Sequence, residues 1–190
     1  MPTPPTLRPE RTAIARKVPS LPAQAVVESV VPEFNITTLL DFGCGRGTDV
    51  SFFIEQGLQA EGYDPHYAPG RPPRGRFGYE LVTSFYVLNV LSTEAEREVM
   101  IRTAIEFARL RGHLVLAARS ASEIESEARK GGWEPYGDGY ITGNKATFQH
   151  GLTDDELQGL ARKAGLVRVP FEFGLSSRTV IGLFQRSFVR

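Results

Sequence analysis

The residues best suited to chemistry lie in the stretch 39–50, which reads LLDFGCGRGTDV. Asp41 is followed by glycine at positions 43, 45 and 47. Closely spaced glycines let the main chain turn sharply and let a ligand approach its N–H groups. A helix that begins directly after them points the positive end of its dipole at the same ligand. The stretch therefore predicts a ligand-binding turn between a strand and a helix.

The spacing of the glycines separates several kinds of nucleotide site. A dinucleotide turn has the pattern G-x-G-x-x-G, and its third glycine would fall at position 48, which is threonine. A P-loop needs Lys followed by Ser or Thr after its glycines, and no such pair follows here. The observed pattern is D-x-G-x-G-x-G. Asp64 lies about 20 residues further on, where a carboxylate suits the two hydroxyls of a ribose.

This D-x-G-x-G-x-G pattern resembles motif I of the class I S-adenosylmethionine-dependent methyltransferases. The resemblance implies S-adenosylmethionine as the cofactor, with its ribose bound by Asp64. Pro65 and Phe85 are expected to complete the cofactor site. The residues that the resemblance places around the methionine end of the cofactor are Asp41, Gly43, Cys44, Gly45 and Gly47.

Further segments make a closer resemblance. They are RTAIARK at 11–17, GYDPHYAPGRPP at 62–73, SFYVLNVL at 84–91, the pair Glu96-Arg97, and GDGYITGNKATFQHGLTDDEL at 137–157. In this order they resemble the methyltransferase domain of a bacterial family associated with DNA phosphorothioation. The likeness extends from Arg11 to about Leu157, and it implies a methyltransferase that works in a DNA-modification context.

Two candidate catalytic residues follow the third predicted strand, at the end of the sheet where ligands bind in such folds. We expect Tyr86 to orient the nucleophile and Asn89 to hydrogen-bond to substrate or cofactor; the alternative for both is a packing role. The segment SFYV lacks the two prolines of the amino-methylating DNA enzymes, so that reaction is disfavoured. Cys44 lies within the glycine loop, which excludes it as the nucleophile of a cytosine C5 enzyme.

Alternating strands and helices must position these residues. Strands are predicted at 37–42, 59–63, 80–87 and 113–118, and helices at 49–56, 93–110 and 120–130. Before them, 11–17 has a short helical pattern, and Pro32 is predicted to end a helix at 21–31. After them come a helix from Thr153 to Gly165 and two edge strands at 167–173 and 178–185. This pattern predicts an α/β, Rossmann-like three-layer sandwich whose mostly parallel sheet carries a C-terminal antiparallel hairpin.

One crossover of this predicted sandwich is too short to contain a full helix and a further strand. About 15 residues separate Asp64 from the third predicted strand, and their prolines break any helical hydrogen-bond ladder. The fold is therefore predicted to be compressed between its second and third strands, with one of the usual strands missing or displaced. We expect His66 or Tyr67 to cover the adenine. Residues 1–10 are expected to form a flexible tail, and 11–190 a single domain.

Composition limits the partners. Lys and Arg number 22, as do Asp and Glu, so the formal net charge is zero and gives no general attraction to nucleic acid or anionic membranes. The chain contains one cysteine and three scattered histidines, which argues against a disulfide framework and against a metal site. No apolar run reaches the roughly 18 residues of a membrane span, and the first ten residues lack a signal-like apolar core. A cytoplasmic protein is the expectation.

The acceptor of the methyl group is less defined by the sequence. The family resemblance, together with the basic residues in 11–17 and with Arg71, Arg74 and Arg76, favours a nucleic acid or nucleotide-derived acceptor. A small-molecule O-, N- or S-methyltransferase is the first alternative, and an inactive domain that binds the cofactor as a scaffold or regulator is the second. We expect transfer by positioning alone or with one general base, for which His150 is the candidate.

Overall fold

The computed structural model describes residues 6–70, 78–143 and 146–187. The strands in this part of the chain are β1 Thr38–Phe42, β2 Gln59–Tyr63, β3 Tyr79–Phe85, β4 Ala108–Arg119, β5 Glu134–Tyr136, β6 Gly139–Thr142, β7 Thr147–Gln149, β8 Leu166–Val169 and β9 Thr179–Arg186. The α-helices are α1 Leu21–Ala25, α2 Val31–Phe34, α3 Thr48–Glu55, α4 Glu94–Glu106, α5 Ala121–Gly131 and α6 Asp154–Lys163. Short 3₁₀-helices occupy Pro9–Thr12 and Leu88–Val90, and a π-helical turn occupies Val26–Val30.

The main sheet has the strand order β2-β1-β3-β4-β9-β8. Strands β2, β1, β3 and β4 are parallel to one another, while β9 runs antiparallel to both β4 and β8. Strands β5, β6 and β7 form a separate antiparallel sheet between α5 and α6. The predicted mostly parallel sheet with a C-terminal antiparallel hairpin is confirmed.

Helices cover both faces of the main sheet because successive residues of a buried parallel strand point to opposite sides. In β1, Leu39 packs into a core with Phe53 of α3 and with the helical residues 21–30. The next residue, Leu40, packs into a second core with Ile101 of α4 and Leu157 of α6. The predicted three-layer sandwich is therefore confirmed.

The compression predicted after β2 is also present. Asp64 and Ala68 close a tight turn by exchanging two main-chain hydrogen bonds of 3.0 Å each. Within the described residues, the link from β2 to β3 contains no helix, and no strand pairs with the outer side of β2. The sheet consequently has six strands, and β2 is its edge.

Two helix predictions near the N-terminus were wrong. Residues 11–17 do not form a helix, because Pro9–Thr12 is a 3₁₀ turn and the chain beyond it makes tertiary contacts with the glycine loop and α3. Pro32 does not end the first helix. The π-helical turn before it changes the hydrogen-bond register, so that Pro32 falls in the first turn of α2, where a missing N–H is tolerated.

The boundary between α4 and β4 was also misplaced. Helix α4 ends at Glu106 and β4 begins at Ala108, five residues before the predicted strand. The exposed residues Arg109–Arg111, two of them charged, do not show the apolar pattern of a buried strand, so the sequence gives no sign of this beginning. The predicted strand at 167–173 is shorter than expected and ends at Val169, since Pro170 cannot donate to the ladder.

A buried arginine fastens the small sheet to the rest of the molecule. Arg97 of α4 is 2% exposed, donates from Nη1 to the carbonyl oxygen of Leu91 at 2.8 Å, and forms an ion pair with Asp138 in the β5–β6 turn. His150, just after β7, donates from Nδ1 to the carbonyl oxygen of Asp138 at 2.6 Å. The main-chain N–H of His150 reaches the carbonyl oxygen of Asn89 at 2.7 Å.

We predict that Arg97→Met loosens the small sheet. The variant removes the ion pair and leaves the Leu91 carbonyl without its donor, so the free energy of unfolding should fall by about 1–3 kcal/mol. Amide hydrogen exchange in β5, β6 and β7 should accelerate. Arg129→Met, at an exposed position of α5, is the matched control and should change neither measurement. Unchanged exchange in the Arg97 variant would contradict the anchoring role.

Candidate active site

The site lies where the strand order reverses. From β1 the chain crosses to β2 on one side, and β3 lies on the other side and leads on to β4. In open α/β sheets, ligands bind beyond the carboxyl ends of the strands at such a switch point. The glycine loop after β1 and Tyr86 after β3 therefore flank one crevice.

The glycine loop is fixed on its sheet side and open on the other. Gly43 has a φ of +83°, and a Cβ there would lie 2.2 Å from Cγ2 of Val87, so only glycine fits. The N–H of Gly43 donates to the carbonyl oxygen of Tyr63, at the end of β2, at 2.7 Å. Gly47 has a φ of +79°, and no atom lies within 4 Å of its Cβ position. The main chain there is accessible to a ligand.

The carboxylate of Asp64 joins the end of β2 to this loop. Oδ2 accepts from the N–H of Gly45 at 3.1 Å, and Oδ1 accepts from the N–H groups of His66 and Tyr67 at 2.9 and 3.0 Å. The guanidinium of Arg46 lies over the Tyr67 ring, 5.1 Å from its centroid. The structure thus brings together the two motifs that the sequence analysis singled out separately.

An open pocket of about 500 Å³ lies beside the loop. Its walls include the segment 44–47 of the loop, Gly62 near the end of β2, and Tyr67 and Ala68 of the following turn. Pro65, predicted to bind cofactor, is exposed in the same turn.

Asp41, the last acid before the glycines, is buried at the carboxyl end of β1. Its Oδ1 accepts from the hydroxyl of Thr83 on β3 at 2.9 Å. Burial, and next the nearby charge of Asp49, raise the pKa of Asp41 to about 7; the Thr83 hydrogen bond and the charge of Arg16 oppose that rise. A cation in the crevice would stabilise the ionised form of this carboxyl group.

The sequence analysis missed a second buried carboxylate, that of Asp49 in the first turn of α3. It accepts from the N–H of Ser20 at 2.7 Å, from the Ser20 hydroxyl at 2.9 Å, and from Nη2 of Arg16 at 2.8 Å. The hydroxyl of Thr48 donates to the carbonyl oxygen of Arg16 at 3.2 Å. These contacts draw the chain before α1 over the glycine loop. Arg16 had been noted only as one of several basic residues.

Cys44 and Phe85, both predicted to line the cofactor, are buried. Burial, followed by the charges of Asp41 and Asp64, raises the pKa of the Cys44 thiol to about 12, so the thiol stays protonated at neutral pH. Phe85 packs in the core shared with Phe53. Cys44 lines the pocket, and Phe85 belongs to the core beneath the end of β3.

Tyr86 stands at the carboxyl end of β3 in a strained conformation. Its φ of +63° is uncommon for any residue other than glycine, and most so for a bulky one. Its N–H donates to the carbonyl oxygen of Ala117 at 2.7 Å, which continues the ladder with β4. Burial raises the pKa of its hydroxyl, and a hydrogen bond with the Thr179 side chain partly offsets that rise. Backbone strain of this kind concentrates at functional sites.

Asn89, the other predicted catalytic residue, is buried and engaged by main chain. Its Nδ2 donates to the carbonyl oxygens of His150 at 2.5 Å and Arg119 at 3.2 Å, and its Oδ1 accepts from the N–H of Arg119 at 2.8 Å. These bonds tie the end of β4 to the segment after β7. This arrangement favours a structural role for Asn89 over contact with substrate.

Several other expectations concern groups away from the crevice or outside the described residues. Arg71, Arg74 and Arg76 lie in 71–77, outside the part of the chain that the structure describes. Among the described residues, no group of three or more His, Cys, Asp or Glu side chains is placed to hold a metal ion. None of the helices in those residues is long and apolar enough to cross a membrane.

No protein-family model matches the sequence, and no curated protein matches it. Solved structures do resemble it. The CcbJ methyltransferase from Streptomyces caelestis superposes with a TM-score of 0.63 and 14% identity over 89% of this chain and 91% of its own. The magnesium protoporphyrin IX methyltransferase from Synechocystis PCC 6803, with S-adenosylhomocysteine bound, has a TM-score of 0.59. Its sequence identity is 16% over 87% of this chain and 82% of its own.

A third similar structure is the 1,6-didemethyltoxoflavin-N1-methyltransferase from Burkholderia thailandensis, which holds 1,6-didemethyltoxoflavin and S-adenosylhomocysteine. Its TM-score is 0.58, with 17% identity over 87% of this chain and 77% of its own. The chain therefore has the Rossmann-like fold of S-adenosylmethionine-dependent methyltransferases. The closer resemblance to the phosphorothioation-associated family has no support in these comparisons and stays a prediction.

We predict that Asp41→Asn stabilises the ligand-free protein at alkaline pH. The folded-state pKa of about 7 exceeds the ordinary aspartate pKa of 3.8, so the folded protein holds an extra proton between about pH 4 and pH 7. Its free energy of unfolding therefore falls as pH rises through that window. Asparagine carries no such penalty, so the variant should be more stable at pH 8 by about 2–4 kcal/mol.

Urea unfolding at pH 5 and pH 8 measures this effect. The advantage of the Asp41 variant should grow between the two pH values, whereas Glu125→Gln, on the exposed side of α5, should follow the unsubstituted protein at both. An advantage that is absent at pH 8 would show that Asp41 is not held at a cost to stability.

Proposed function

We propose that this protein is an S-adenosylmethionine-dependent methyltransferase that acts on a small molecule. The observation that carries the proposal is the contact between Asp64 and the N–H of Gly45, which joins the carboxylate that we expect to bind the ribose to a glycine loop at the switch point. The methyltransferase fold supports it, as does the S-adenosylhomocysteine held by two similar structures.

The residues of the crevice fit this cofactor. The open main chain at Gly47 admits a ligand, and Asp64 offers carboxylate oxygens to the ribose hydroxyls. The buried carboxyl group of Asp41 suits a ligand that carries positive charge, because its own environment favours the protonated form in the absence of a cation. When bound, S-adenosylmethionine supplies an electrophilic methyl group on a sulfonium.

The chain's own residues would act by holding the reactants in line. A bond forms between the acceptor's O, N or S atom and the methyl carbon as the carbon–sulfur bond breaks, and the acceptor's proton leaves to water. Tyr86 follows β3 directly and is half-buried, and we expect its hydroxyl to orient the attacking atom. Such positioning supplies much of the acceleration of a two-reactant step. The protonated, buried Cys44 thiol offers no covalent route.

A small acceptor is favoured over a nucleic acid. Two of the similar structures are named for small-molecule substrates, 1,6-didemethyltoxoflavin and magnesium protoporphyrin IX. The neutral net charge of the chain adds no general attraction to nucleic acid.

We predict that Asp64→Asn weakens the binding of S-adenosylhomocysteine about tenfold to hundredfold, because the ribose loses a charged acceptor. Isothermal titration calorimetry measures the affinity. Asparagine keeps one side-chain oxygen for the loop N–H groups, so the fold should be retained. Asp155→Asn, on the exposed first turn of α6, is the control and should bind normally. Binding of NADH without any binding of S-adenosylmethionine would refute the cofactor assignment.

Turnover separates the acceptor classes. With S-adenosylmethionine labelled at the methyl group, we expect label to enter the small-molecule fraction of a bacterial extract, and not its DNA or RNA. Tyr86→Phe should lower kcat about tenfold or more without changing cofactor affinity. Tyr140→Phe, in β6, should leave both unchanged. Label in nucleic acid would overturn the small-molecule proposal, and binding without any turnover would support an inactive scaffold.

A further inference from the structure

The N-terminal segment 8–20 crosses the glycine loop, and we refer to it as the strap. At one end, the N–H of Arg8 donates to the carbonyl oxygen of Ala146 beside β7, at 3.0 Å. Next, the hydroxyl of Tyr67 donates to the carbonyl oxygen of Glu10 at 3.1 Å. The strap therefore spans from the small sheet to the turn that follows Asp64.

The middle of the strap comes closest to the glycine loop. The Cβ of Ala13 lies 3.4 Å from the Cβ position of Gly45, which is ordinary contact distance. Three residues later, the carbonyl oxygen of Arg16 accepts from Thr48 at the start of α3. The strap ends at Ser20, which binds Asp49 through both its N–H and its hydroxyl.

The guanidinium of Arg16 is held at the crevice with donors to spare. Within the described residues, its side chain makes one hydrogen bond, from Nη2 to Asp49, and it is one-third exposed. The hydrogen bond to Asp49, together with the bond from the Thr48 hydroxyl to the Arg16 carbonyl, places the guanidinium beside the glycine loop at the start of α3. A guanidinium carries five N–H donors in a planar fork that matches a carboxylate.

The methionine end of the proposed cofactor is a zwitterion. Its ammonium group needs a negative partner, which Asp41 can provide, and its carboxylate needs a positive one. Arg16, paired with Asp49 beside the glycine loop, is a basic side chain in position to provide it. The hydroxyl and N–H of Ser20 share the charge of Asp49, so Asp49 does not fully satisfy Arg16.

We propose that Arg16 binds the α-carboxylate of the methionine moiety of S-adenosylmethionine. Asp49 is then a positioning residue, since its buried carboxylate holds both the guanidinium and the strap. The proposal rests on the proposed function and adds a residue that lies outside the glycine motif. It makes the strap part of the cofactor site, so that the site is incomplete without residues far from motif I in sequence.

Ligands that differ in one group test this assignment. S-adenosylmethionine and its decarboxylated analogue share the sulfonium and the ammonium, and only the first has the carboxylate. By calorimetry, Arg16→Met should weaken the binding of S-adenosylmethionine about tenfold to hundredfold, and that of the decarboxylated analogue less than about threefold. Arg16→Lys should fall between, because an ammonium is a point charge without the planar fork.

Two further variants separate carboxylate recognition from anchoring of the strap. Ser20→Ala loosens the strap at Asp49 but keeps the guanidinium, so any loss of affinity should be equal for the two ligands. Lys17→Met, at the exposed neighbouring position, should change neither affinity. Circular dichroism and thermal unfolding establish that each variant is folded before its affinity is compared.

The outcomes distinguish a failure of the Arg16 assignment from a failure of the proposed function. If Arg16→Met weakens both ligands by the same factor, Arg16 serves only to anchor the strap, and the assignment is overturned. The same conclusion follows if Arg16→Met binds S-adenosylmethionine as the unsubstituted protein does. Failure of the unsubstituted protein to bind S-adenosylmethionine or S-adenosylhomocysteine at all would instead overturn the proposed function.

Discussion

Two carboxylates, those of Asp41 and Asp49, lie out of water at the carboxyl end of β1, and neither is compensated within its own element. A buried charge is tolerated only where hydrogen bonds or opposite charges replace water. Asp49 receives them from the strap, through Ser20 and Arg16. Asp41 receives a single hydroxyl from Thr83 on β3. The packing of the strap, the glycine loop and β3 around this point follows from that need.

The same region holds the other unfavourable features of the molecule. Asp41 is harder to ionise than a carboxyl group in water, and Tyr86 has a left-handed backbone conformation. Groups of this kind destabilise the folded state and persist where a ligand or a reaction uses them. Stability here comes from the two cores that flank the sheet, whose largest side chains are apolar and fully buried. These cores offset the destabilisation by the groups at the crevice.

Short-range sequence signals predicted much of this arrangement. The glycine loop, Asp64 and the compressed crossover were evident because spacing and proline content act locally. The pair formed by Arg16 and Asp49 could not be found in this way, since 33 positions separate its members and neither has a distinctive neighbourhood. The surroundings of Asn89 could not be predicted for a related reason. Its amide matches three main-chain groups that only tertiary structure brings together.

The compressed crossover also changes how the protein meets other chains. Without an outer neighbour among the described residues, β2 presents unpaired main-chain groups, and open sheet edges of this kind invite pairing that leads to aggregation. The strand has only five residues, and both Gln59 and Glu61 are exposed along it. Pro65 follows directly after Asp64. A short strand, a negative charge and a proline are the protections that natural sheets use, so the edge left by the compression carries its own defence against self-association.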